Sequence, residues 1–197
     1  YKKEEIKFEG ALKKPQELLE RFERVIKNYE KERDIPYLNS TSLLSPHLRF
    51  GTISIRDVLR WALRQNDGRK FIEELIWREF FNYLIFHFPD MEKNGLRQVK
   101  INWKEDEKAF ERWKEGKTGI PLVDAGIRQL LVEGFIHNRV RMVVSDYLVK
   151  NLKVNWKLGE SFFAEKLLDY EKTSNIGNWQ WITGIGADPK FLVRKFN

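Results

Sequence analysis

Apolar residues recur at three- and four-residue steps along most of the 197-residue chain, the spacing that lines one face of an α-helix. Leu18, Leu19, Phe22, Val25, Ile26 and Tyr29 follow this rule behind Pro15, which suits a first helical turn because its missing N–H would have no partner there. Ser54 can cap a second helix with Ile55, Val58, Leu59 and Ala62 on one face, and Asn66-Asp67-Gly68 supplies the turn after it. The pattern predicts a long helix over residues 69–88 that stops at Pro89, and another that opens at Pro121, carries Val123, Ile127, Leu130 and Leu131, and stops at Gly134. Two more are predicted over residues 136–152 and 160–168. Two-residue alternation is scarce, so the expected fold is an all-α helical bundle with long connecting loops, built as one domain over residues 1–197. The run from Asp169 to Trp181, DYEKTSNIGNWQW, reads as a loop rich in acids and amides.

Charge narrows the partners. The chain has 36 Lys and Arg against 29 Asp and Glu, a net charge of +7 and a pI near 9.5. This balance favours a polyanion, with nucleic acid ahead of an acidic membrane surface, although a lysine-rich surface can also serve only solvation. Cysteine is absent, which excludes disulfides and thiolate metal sites and fits a reducing cytoplasm. His47, His87 and His137 are not at metal-ligand spacing, so no metal is expected. No apolar run reaches the roughly 20 residues that span a bilayer, so no membrane is expected, and the opening residues do not read as a signal peptide. No serine-histidine-acid triad and no glycine-rich nucleotide loop is apparent.

Several segments carry candidate chemistry. In Thr41-Ser42-Leu43-Leu44-Ser45-Pro46, hydroxyls and backbone amides can cradle a pyrophosphate, though such a segment alone is also an ordinary turn. In HNRVRMVVSDYLV, Asn138, Arg141 and Ser145 can share a helix face while Arg139 projects elsewhere. In ELIWREFF, Glu74 and Trp77 are neighbours near one face, with Arg78 beside them. The chain has seven tryptophans, any one of which could be a plain core anchor.

Taken in order, TSLLSPHLRFG, ELIWREFF, WKEGKTGIPLVDAGIRQL, HNRVRM and DYEKTSNIGNWQW, with NWKLGESFF just upstream of the last, resemble the flavin-binding helical domain of the DNA photolyase and cryptochrome family over about Tyr29 to Asn197. The resemblance implies noncovalent FAD. Tyr29, Thr41, Ser42, Leu43, Leu44 and Ser45 would lie along the phosphates, with Leu43 where the family usually has a basic residue, and Arg78 would also contact the cofactor. Asn138 and Arg141 match residues beside the flavin, Asp169 matches the acid that pairs with that arginine, and Glu171 stands where the family commonly has Asp. Asn175 matches the residue facing flavin N5 in photolyases, where plant cryptochromes generally carry Asp and insect ones Cys. Trp179, Trp156 and Trp103 match an indole relay that passes electrons inward from the surface.

The resemblance extends to substrate. Photolyases are among the enzymes that extrude their target from the base stack. Glu74, Trp77 and Asn138 match residues against a flipped thymine dimer, Arg139, Met142 and Trp181 line the same pocket, and Arg33 resembles a contact to the DNA backbone. The (6-4) photolyases have a catalytic histidine where Asn138 stands, so the implied activity is light-driven repair of cyclobutane pyrimidine dimers by a monomeric cytoplasmic lyase. Glu74, Asn138, Asn175, Trp103, Trp156 and Trp179 are then the candidate catalytic residues. A cryptochrome-type blue-light receptor and a flavin-free nucleic-acid-binding module are the alternatives. Family members usually carry an N-terminal α/β antenna domain and further C-terminal helices. The expectation is therefore a middle core lacking that α/β domain and truncated at both ends.

Overall fold

The computed structural model describes residues 14–97 and 99–188, and among them it contains eleven α-helices and no strand. The all-α expectation holds. The last stretch of the family resemblance, residues 189–197, lies outside the described residues. The chain forms two compact units, residues 1–80 and 81–197.

The first unit contains α1 (Lys14–Glu23), α2 (Tyr29–Glu32), α3 (Ser45–Phe50), α4 (Ile55–Leu63) and the opening turns of α5 (Arg69–His87). The apolar series from Leu18 to Tyr29 does not form one helix. A 3₁₀ turn at Ile26–Asn28 interrupts it, where β-branched Val25 and Ile26 and the turn-former Asn28 weaken α-helical pairing. The periodic positions still reach the core. Leu19, Phe22, Ile26 and Tyr29 are buried with Leu44, Val58, Ala62 and Phe71. Phe22 meets Phe71 edge-on at 4.8 Å and Tyr29 at 5.4 Å. Ser54 caps α4 by accepting from the Arg56 N–H, and of the expected face Val58 and Ala62 are buried whereas Leu59 turns outward.

The second unit holds the rest of α5, then α6 (Met91–Asn94), α7 (Glu107–Lys114), α8 (Pro121–Glu133), α9 (Asn138–Asp146), α10 (Trp156–Lys166) and α11 (Lys172–Thr183). The helix expected over 136–152 is α9 followed by a single π-helical turn, Tyr147–Asn151. Helix α10 opens earlier than expected, at Trp156, because the Asn155 side chain caps it. The largest departure is α11, since DYEKTSNIGNWQW was expected to be a loop. Thr, Ser, Asn and Gly are weak helix formers. Here a cap from Glu171 and burial of Ile176, Trp179 and Ile182 on one side outweigh that propensity.

Packing explains the motif WKEGKTGIPLVDAG. Trp113 is fully buried, donates from Nε1 to the Val144 carbonyl at 3.1 Å, and stacks on Phe163. Asp124 is buried and accepts from the Thr118 N–H, the Thr118 hydroxyl and the Gly119 N–H, which closes the turn ahead of α8. Close approach is required at Gly159 of α10, where an added Cβ would lie 2.2 Å from Cη2 of Trp179. That ring is itself buried, so it has little room to swing aside. Gly159→Ala should therefore destabilise the protein by about 1–3 kcal/mol through overpacking. Chemical denaturation followed by tryptophan fluorescence would measure it, and an unchanged midpoint would mean that Trp179 can move.

Candidate functional site

The candidate residues fall into two groups, one in each unit. In the first unit, Ser40 is buried and its hydroxyl donates to the Glu32 carboxylate, while Arg21 of α1 donates to the carbonyls of Asn39 and Thr41. These ties shape the segment Thr41–Ser45, whose Leu44 is buried as an anchor. Asn39 and Leu43 have φ of +52° and +57°, the left-handed region that side chains with a Cβ disfavour. Burial raises the pKa of the Tyr29 phenol, so it remains a hydrogen-bond donor. Arg21 and Glu32 were not anticipated as site residues. Their spacing from the loop gives no local signal, and only the fold reveals the contact.

Two expected DNA-facing groups of this unit bind each other. The Arg33 guanidinium donates to Oε1 of Glu74 and lies over the Tyr29 ring. The Glu74 contact raises the Arg33 pKa against the lowering effect of its burial. Trp77 is partly exposed and packs edge-on against Phe80 at 5.4 Å. Arg78 pairs with Glu79 at 2.7 Å.

In the second unit, Arg141 donates from Nη2 to both oxygens of Asp169, at 2.9 and 2.8 Å, and from Nε to the Ile136 carbonyl at 2.9 Å. The expected pair is therefore formed. The first turn of α9 brings Asn138, Arg139 and Met142 together, with Asn138 Nδ2 and Arg139 Nη1 each 3.8 Å from the Met142 sulfur. Its cap is His137, whose Nδ1 accepts from the Arg139 N–H.

Helix α11 sets the remaining geometry. Asn175 donates from Nδ2 to the Glu160 carboxylate at 3.1 Å, and the Tyr170 hydroxyl donates to the same oxygen. Burial, then the Glu160 carboxylate, pushes the Tyr170 phenol up to about 12. Glu160 is thus a site residue that sequence reasoning missed. The only available signal was its place four residues after Trp156, one turn along α10. Both Glu171 oxygens are taken by the start of α11, through the hydroxyls and N–H groups of Thr173 and Ser174. Trp181 lies partly buried on the same helix.

The three relay candidates differ in burial. Trp179 and Trp156 are buried and Trp103 is partly exposed. Gly159, one turn beyond Trp156, lies against the Trp179 ring, and the Lys104 N–H donates to the Lys153 carbonyl at 2.8 Å, tying the segment of Trp103 to the approach to Trp156. Trp113 also lies 6.5 Å from Trp179 between ring centroids. Among the described residues no group of His, Asp and Glu could hold a metal ion, and no helix is long and apolar enough to cross a membrane.

Residues 71–197 match the family model described as the FAD binding domain of DNA photolyase. The deoxyribodipyrimidine photo-lyase of Agrobacterium fabrum is 44% identical over 95% of this chain and 40% of its own length, and that of Halobacterium salinarum is 41% identical over 87% and 38%. A bacterial class III photolyase from Agrobacterium tumefaciens superposes with a TM-score of 0.89 at 41% identity, covering 95% of this chain and 41% of that one. A cryptochrome from Synechocystis superposes with a TM-score of 0.86 at 33% identity, covering 96% and 42%. The chain belongs to the DNA photolyase family and carries its FAD-binding domain. It spans about two fifths of the length of the curated relatives it matches.

The Glu171 cap has a pH signature. Burial would raise its pKa, but the hydroxyls and N–H groups of Ser174 and Thr173 outweigh that and hold it below the ordinary carboxylate value. A pKa depressed by folding contributes stability that is complete above the unfolded value and is lost as pH falls through the folded one. Glu171→Ala should therefore lose about 1 kcal/mol at neutral pH. Its deficit relative to the parent should shrink below roughly pH 4. Melting temperatures across pH would check this, and a deficit as large at pH 3 as at pH 7 would remove the carboxylate from the explanation.

Proposed function

We propose that this chain is the catalytic part of a light-driven DNA lyase that repairs cyclobutane pyrimidine dimers by electron transfer from reduced FAD. The observation that carries the reading is the arrangement around α11. One helix bears the buried indole Trp179 and the anchored amide of Asn175, and its start follows directly on the pair of half-buried Arg141 with buried Asp169. This donor set fits a flavin, which needs hydrogen-bonding groups at its polar edge, a cation to balance its reduced anion, and an oxidisable neighbour.

When bound in its reduced form, FAD would supply the light-excited electron donor for this chemistry. The protein groups do the rest. Arg141, half-buried and held by Asp169, offers a guanidinium whose charge favours an anionic ligand more than it would in bulk water. Glu160 accepts from the Asn175 amide N–H, which fixes the orientation of that amide and leaves its carbonyl end directed away from Glu160, where it would be available to a bound flavin. In the first unit Arg33 occupies Oε1 of Glu74, leaving Oε2 to accept a hydrogen bond from a bound pyrimidine, and the exposed face of Trp77 offers a surface for base stacking. Asn138, Arg139 and Met142 form the lesion-facing turn of α9. The surplus positive charge favours the polyanionic substrate. Asn138, in place of histidine, favours cyclobutane dimers, and neutral Asn175 favours repair over sensing.

The test is a crossover between two variants, with dimer loss from irradiated DNA and flavin reduction followed separately. Trp179→Phe should abolish light-driven reduction of oxidised FAD, because phenylalanine is far harder to oxidise than indole, yet chemically reduced protein should still repair. Glu74→Ala should show the reverse, with photoreduction intact and repair yield lowered. Photoreduction without any repair by the parent protein would move the function to light sensing, and normal photoreduction by Trp179→Phe would return the tryptophans to being core anchors.

A further inference from the structure

We propose that Arg21 is a positioning residue that holds the backbone of residues 39–42 in its anion-binding form, an inference that rests on the assignment of the FAD phosphates to the Thr41–Ser45 segment. Arg21 stands on α1, about 20 residues before the loop, and its guanidinium is directed at main chain. Nη1 donates to the Asn39 carbonyl at 3.1 Å and Nη2 to the Thr41 carbonyl. Ser40, between those two residues, is fixed from elsewhere by its hydroxyl bond to Glu32. The two carbonyls belong to the peptide groups whose N–H atoms are those of Ser40 and Ser42.

A trans peptide is planar, and its N–H points opposite to its C=O. Drawing the carbonyls of Asn39 and Thr41 toward α1 therefore turns the N–H groups of Ser40 and Ser42 away from α1. N–H groups directed to one side, here those of two alternate residues, can donate together to an anionic oxygen such as that of a phosphate. The left-handed φ of Asn39 and of Leu43 brackets this stretch. Such conformations persist in residues with a Cβ only where the surroundings over-determine them, and they cluster at ligand clamps. Arg21, Glu32 and the buried Leu44 supply that over-determination. The planar fork of Arg reaches two carbonyls at once, which the point-like ammonium of Lys does not.

The test separates phosphate binding from general folding. Flavin-free protein is titrated with FAD and with riboflavin, which lacks both phosphates, and flavin fluorescence gives the dissociation constants of the parent, Arg21→Met and Arg21→Lys. Met keeps an apolar stem of similar reach, and Lys keeps stem and charge. The parent should prefer FAD. Arg21→Met should lose about tenfold in FAD affinity, the equivalent of 1.4 kcal/mol, with riboflavin affinity unchanged, and Arg21→Lys should lose less. If Arg21→Met fails to fold, a fall in the FAD-to-riboflavin preference of Arg21→Lys carries the same reading. Retention of the parent preference, whether both affinities hold or both fall together, would overturn the role of Arg21. A parent protein with no preference for FAD over riboflavin would instead overturn the phosphate assignment itself.

Discussion

The Arg141–Asp169 pair is the constraint on which the second unit depends. Residues 28 apart in sequence meet with the Asp169 side chain only 3% exposed. Taking both charges out of water costs several kcal/mol per ion, and the pair is tolerable only when further hydrogen bonds complete it. They do so here. Arg141 Nε binds the Ile136 carbonyl and the guanidinium lies 5.3 Å over the Phe135 ring. The Leu168 N–H donates to the Gly134 carbonyl at 2.8 Å, so the segment before α11 is pinned at two adjacent points to the turn that opens α9. Two residues beyond Asp169, Glu171 caps α11, and the places of Asn175 and Trp179 follow from that start.

Most groups assigned to a ligand are already engaged within the protein. Asn175 is held by Glu160, Glu74 by Arg33, Arg78 by Glu79, and the loop before α3 by Arg21 and Glu32. Such ties lower the cost of ordering side chains when a ligand arrives and restrict their orientation beforehand. They also change individual roles. Arg33 interacts with Glu74, so its removal would disturb an acid of the proposed lesion site as well as any phosphate contact.

The fold class, the position of α5, the Ser54 cap and the Pro121–Gly134 helix were legible because each rests on local periodicity and end signals. Helix α11 was not, because its residues have poor intrinsic propensity and its stability comes from tertiary burial and a carboxylate cap. The break at residues 26–28 was hidden for the opposite reason, since the apolar spacing continues through it. The Arg141–Asp169 pairing was legible only through family resemblance. Arg21 and Glu32 were not legible at all, because a side chain that supports a distant loop leaves no mark in its own neighbourhood, and Glu160 was marked only by its place one turn after Trp156.

The central claim is that a flavin site is built around the Arg141–Asp169 ion pair. Its most direct test is FAD binding by the parent protein and by Asp169→Asn, measured by flavin fluorescence with circular dichroism as the check on fold. The account predicts saturable binding of one FAD per chain, weakened by at least about tenfold in a variant that keeps its helices, because the half-buried Arg141 then lacks its counter-charge. Undiminished FAD affinity in a folded Asp169→Asn protein would contradict it.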